Sequence, residues 1–98
     1  EGKSVVYTGD TGYSESLIEL ARGADLLVSE CSFPNAVDLP SHLNPSKVGR
    51  IAHRAGVRKV LLTHMYPPCD KVDIVEECGR EFSGEVIRGE DGMVVNIT

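Results

Sequence analysis

The chain has 98 residues, with 10 Lys and Arg against 15 Asp and Glu, a formal net charge of −5. At 41% hydrophobic and 26% charged residues it is too apolar for a disordered segment, and it is too short to hold a second core. No apolar run approaches the roughly 18–20 residues that cross a bilayer, no basic-then-apolar leader is visible, and the basic residues are scattered rather than striped. A membrane span, a signal peptide and salt-driven binding to nucleic acid are therefore all disfavoured.

Ser4 to Thr8 is rich in β-branched and aromatic residues, stops at Gly9, and reads as a strand. Ser14 to Arg22 sets Leu17, Ile18 and Ala21 at helical spacing, with Ser14 as the N-cap and Gly23 as the stop. Asp25 to Ser29 is the second strand, and Cys31 to His42, with Pro34, Asn35 and Pro40, is a loop. Asn44-Pro45 opens the second helix, because Asn offers a capping acceptor and proline lacks an N–H where none is needed. Val48, Ile51, Ala52 and Ala55 give that helix an apolar stripe, and Gly56 ends it. Lys59 to Thr63 is the third strand, and Pro67-Pro68 breaks the loop beyond it. Val72 to Phe82 reads as a third, weaker helix, while Glu85 to Arg88 and Met93 to Ile97 flank a Gly-rich turn as a terminal hairpin.

The order is β-α-β-α-β-α-β-β, an α/β layout with its first three strands parallel and joined by right-handed crossovers. The strands are apolar at both parities: Val5 and Tyr7 against Val6, Leu26 and Val28 against Leu27, Val60 and Leu62 against Leu61. Both sheet faces therefore need cover, and one is expected to meet another sheet, from a partner chain or from missing sequence. Cys31, Cys69 and Cys78 are odd in number and widely spaced, with no C-x-x-C pair. This excludes a disulfide framework and a zinc knuckle, and suits a reducing, cytoplasmic setting.

In a parallel α/β sheet, ligands bind beyond the carboxyl ends of the strands. Strand one leads into Gly9-Asp10-Thr11-Gly12, strand two into Glu30 and a loop reaching His42, and strand three into His64. Asp10, Glu30, His42 and His64 thus converge on one edge as a set of acids, bases and metal donors. Singly each has a plain reading: Asp10 as a turn residue, Glu30 as a solvated strand end, His42 as a surface loop residue or helix-entry group. His53, mid-helix, reads as part of a solvated face, and Met65 and Tyr66 as loop packing. Asp10-Thr11-Gly12 also spells the D-T-G of aspartic proteases, but those are nearly all-β, whereas a helix follows here. By spacing alone Asp10 and His64 are good zinc donors with His42 as a third, and zinc needs at least three protein ligands.

Read together, V-V-Y-T-G-D-T-G-Y, L-L-V-S-E-C-S-F, S-H-L-N-P-S-K-V-G-R-I-A and K-V-L-L-T-H-M-Y-P resemble the C-terminal half of a metallo-β-lactamase-fold hydrolase of the ribonuclease Z and phosphodiesterase-like branch. The resemblance runs over nearly the whole chain and implies half of an αββα sandwich, with helices on one face of a mixed sheet. Residues 1–98 would then be one partial domain lacking its N-terminal half. It also implies that Asp10 bridges two metal ions, zinc with Mn or Fe as alternatives, and that His64 is a ligand of the second. Glu30 and His42 match the relay that assists the leaving group in the ribonuclease Z branch. The H-x-H-x-D-H cluster of that family is not in this chain.

That branch commonly reads H-E-A-T-F and H-S-T, where this chain has Ser29-Glu30-Cys31-Ser32-Phe33 and His42-Leu43-Asn44. The H-L-x-P form looks more like relatives outside transfer-RNA processing, and no arm for gripping transfer RNA is identifiable. The function the resemblance implies is two-metal hydrolysis of a phosphodiester or related ester by a bridging hydroxide, on a small-molecule or nucleotide-type substrate. The 98-residue chain alone is expected to be inactive, to bind few or no metal ions, and to form a homodimer through its sheet face. The alternative is a non-enzymatic α/β interaction module that dimerises or binds a partner through that exposed face.

Overall fold

A computed structural model describes residues 3–8 and 12–90. Its elements run β1 (Val5–Tyr7), α1 (Glu15–Ala21), β2 (Leu26–Glu30), α2 (Pro45–Ala55), β3 (Lys59–Thr63), a 3₁₀ turn (Pro67–Lys71), α3 (Ile74–Gly79) and β4 (Glu85–Arg88). The helices start and stop where side chains satisfy their ends. Ser14 Oγ accepts from Leu17 N–H at 3.1 Å, and Asn44 Oδ1 accepts from Lys47 N–H at 2.9 Å. Gly56 ends α2 in the left-handed region at φ 71°, its N–H bonded to the Ala52 carbonyl, a conformation glycine adopts without a Cβ clash.

The four described strands form one sheet in the order β1-β2-β3-β4, every neighbour parallel. Register places Val6, Leu27, Val60 and Val86 on one face, and a single core joins that face to all three helices. Leu17 and Ile18 come from α1, Val48 and Ile51 from α2, and Ile74 and Cys78 from α3. A sheet wound in one direction by right-handed crossovers puts every helix on the same side.

Apart from Leu26, which is in register with Val5 and buried, the other face carries Val5, Tyr7, Val28, Leu61 and Ile87. None of these is fully buried, and Val5 and Tyr7 are 50% and 62% exposed. The doubly apolar strands thus have cover on one face within the described residues. Such a patch is unusual on a soluble monomer.

One expectation needs adjustment, and another falls partly outside the described residues. The third helix is shorter than Val72 to Phe82: Asp73 caps it by accepting from Glu76 N–H at 3.0 Å, and Pro67–Lys71 before it wind as a 3₁₀ turn. Glu85 to Arg88 pairs in parallel with β3. The second arm of the expected hairpin, Met93 to Ile97, lies outside the described residues, as does the pairing that would make the sheet mixed. No described helix is long and apolar enough to cross a membrane.

Candidate active site

The carboxyl ends of β2 and β3 lie side by side, Glu30 paired with Thr63 and the ladder continued by Cys31 N–H to the Thr63 carbonyl at 2.8 Å. Glu30 is the largest charged side chain in the interior, only 1% exposed. A buried carboxylate persists only when its lone pairs are taken. Here Oε2 accepts from the Ser32 N–H at 3.0 Å and the Ser32 hydroxyl at 2.8 Å, while Oε1 accepts from the Leu43 N–H at 3.3 Å. The Glu30 N–H itself goes to Thr8 Oγ1 at 3.2 Å, which ties β2 to the end of β1.

Through Leu43 the carboxylate holds the loop that ends at α2, and it thereby brings His42 beside itself. His42 Nδ1 stands 3.8 Å from Glu30 Oε1, a charge-range contact longer than a hydrogen bond. The imidazole packs edge-on against Phe33, ring centroids 5.7 Å apart and planes 80° to each other. On the outer side of this loop, Gly12 lies so close to the Pro40 carbonyl that a Cβ there would overlap it. Gly12 therefore abuts the loop that carries His42.

His64 follows β3 directly, is exposed, and takes a left-handed backbone at φ 58°. Histidine is among the few non-glycine residues enriched there, at a cost of about 1 kcal/mol or somewhat more. The kink turns the chain so that the Tyr66 N–H reaches the Ser32 carbonyl at 3.1 Å. Tyr66 then stands between two rings, 5.6 Å from His64 and 5.2 Å from Phe33. A row of four rings, His42–Phe33–Tyr66–His64, so connects the loops beyond β2 and β3. Neither Phe33 nor Tyr66 is singled out by sequence pattern; the only local signal is an aromatic placed just past each strand end. Met65, by contrast, packs on the core.

Of the four residues expected at this edge, Glu30 and His42 are adjacent and His64 is reached through the aromatic row. Asp10 lies outside the described residues. Among those described, no three His, Cys, Asp or Glu side chains are grouped to hold a metal ion. The imidazole of His64 is chemically a suitable donor, but the described residues do not make a metal centre by themselves. The cysteines are buried and chemically quiet: burial pushes the Cys78 thiol up to about 12, and raises Cys31 and Cys69 as well.

A model of the beta-lactamase superfamily domain matches residues 1–65. YhfI of Bacillus subtilis, a probable metallo-hydrolase, is 40% identical over 93 residues, covering 93% of this chain and 38% of that protein. Its crystal structure, described as a metallo-beta-lactamase fold protein, superposes with a TM-score of 0.88 at 38% identity, over 94% of this chain and 39% of that one. A ribonuclease Z of Thermobifida fusca is 36% identical over 103 residues, 98% of this chain and 32% of that protein. An uncharacterized protein of Mycobacterium leprae is 45% identical over 87 residues, 87% of this chain and 31% of its own length. The chain spans about a third of the length of the curated relatives it matches.

Proposed function

This chain belongs to the beta-lactamase superfamily, and from that premise we propose that it is the C-terminal part of a metal-dependent hydrolase acting on a phosphodiester or related ester. The observation that carries the reading is the Glu30–His42 pair on the carboxyl edge of the sheet, linked to His64 through the rings of Phe33 and Tyr66. Asp10 and His64 would be this chain's ligands to the metal ions, with the remaining donors supplied from outside it. Bound ions would supply Lewis-acid activation of water and of the ester oxygen.

The chain's own contribution is to the leaving group. Glu30, fixed by Ser32 and Leu43, stands 3.8 Å from Nδ1 of His42 and sets which side of the ring faces the carboxylate. With Nδ1 turned to the carboxylate, Nε2 is the atom left to give a proton to the departing oxygen. Phe33 seats the ring from the side. The open face of Val5, Tyr7, Val28, Leu61 and Ile87 would meet the second sheet of the complete domain. A second copy of the chain is the competing cover. With a net charge of −5, a small ester is favoured over a long nucleic acid.

The test is turnover of two phosphodiesters by the intact polypeptide carrying this chain, one with a p-nitrophenolate leaving group and one with an alkoxide. His42→Ala should lower kcat by on the order of 100- to 10,000-fold on the alkoxide ester, and far less where the leaving group needs no proton. Equal losses on both substrates would remove His42 from the acid role. No hydrolysis of any ester by the unaltered, metal-loaded polypeptide would end the reading altogether.

A further inference from the structure

The Glu30–His42 separation of 3.8 Å is longer than a hydrogen bond, and the backbone that carries the imidazole belongs to the loop before α2. Residues 35–42 contain neither helix nor strand. A turn closes their last four residues, the His42 N–H donating to the Leu39 carbonyl at 3.2 Å. At the mouth of that turn sits the ammonium of Lys47, from the first turn of α2. Its Nζ donates to the Leu39 carbonyl at 3.0 Å and to the His42 carbonyl at 3.4 Å, and pairs with Asp38 Oδ1 at 2.7 Å. Its side chain is only 14% exposed, against 55% for Arg22 and 58% for Arg80 in their ion pairs.

We infer that Lys47 is the positioning residue for His42: one ammonium gathers three oxygens of the loop and fixes it against the start of α2. Charge-assisted bonds of this kind are about twice as strong as neutral ones, and the helix beneath is itself capped by Asn44 and Asn35, so the anchor is rigid. Lys47 touches no reacting atom; it acts through the backbone of residues 39–42. The inference rests on the acid role given to His42 for its functional meaning, but its structural content is independent of turnover.

The experiment uses the intact polypeptide carrying this chain, with histidine and phenylalanine rings isotopically labelled for nuclear magnetic resonance. The unaltered protein should show a His42–Phe33 ring contact. Lys47→Met, which keeps the aliphatic stem, should lose that contact while the Phe33–Tyr66 contact persists, and Lys47→Arg should restore it. In the same protein Lys47→Met should lower kcat by on the order of tenfold to a hundredfold with KM little changed. Should Lys47→Met fail to fold, Lys47→Gln, with one amide donor group, takes its place. A His42–Phe33 contact that survives at full intensity without the ammonium overturns the inference, as does its absence in the unaltered protein. Loss of the ring contact in a protein whose His42→Ala variant is fully active would sink the acid role and leave the positioning intact.

Discussion

Replacing Glu30 by Gln separates charge from shape at the centre of the site. Glu30 Oε2 takes two donors from Ser32 and Oε1 takes one from Leu43. An amide has one oxygen and one NH₂, so in either orientation the NH₂ faces a backbone N–H in a buried place. Keeping the oxygen toward Ser32 leaves the Leu43 N–H unsatisfied, at about 1–3 kcal/mol, and the remaining bonds lose their charge assistance. The net loss should be about 2–3 kcal/mol of unfolding free energy, read by equilibrium urea denaturation followed by circular dichroism. Because Leu43 carries His42 with it, the His42–Phe33 ring contact should weaken in the same variant. A Glu30→Gln protein within about 0.5 kcal/mol of the unaltered one would refute the reasoning, since it would mean that the three donors do not depend on the carboxylate.

Two further predictions concern the frame. Gly49 lets α2 approach α3, because a Cβ there would stand 2.6 Å from the Cys78 carbonyl; Gly49→Ala should cost about 1–3 kcal/mol in the same denaturation assay. Burial pushes the Cys78 thiol up to about 12, above its ordinary value near 9. The folded protein then keeps the proton that the unfolded chain loses, so the stabilisation is full below about pH 9 and declines as pH rises toward 12. Cys78 should contribute about 1.4 kcal/mol of lost stability per pH unit in that window, and Cys78→Ala should flatten the alkaline decline measured by denaturation.

How much of this was legible in the sequence differs element by element. α2 was legible at both ends because its signals are local: Asn44-Pro45 supplies a cap and a fixed φ, and Gly56 the left-handed stop. α3 was overdrawn because apolar spacing alone does not reveal that Asp73 caps Glu76 and starts the helix later. The pairing of Glu85–Arg88 with β3 was not legible either, since a short apolar run carries no label for its neighbour. At the site, the topology rule sufficed to bring Glu30, His42 and His64 to one edge. What it could not supply was the seating: Lys47 reaches back five and eight residues onto a loop without periodicity, and Phe33 and Tyr66 meet only because His64 kinks. Those contacts are set by loop geometry, which has no repeat to read.

The central claim is that this chain lends His64 to a metal centre completed by residues beyond those described. The most direct test is the metal content of the intact polypeptide, by elemental analysis after gel filtration, with His64→Ala compared against His53→Ala. His53 is exposed in the last turn of α2, which leads into the amino end of β3, so its loss controls for removing an imidazole. The account predicts that the His53 variant keeps the full metal complement while the His64 variant loses at least one ion. A His64→Ala protein that retains all of its metal would contradict it.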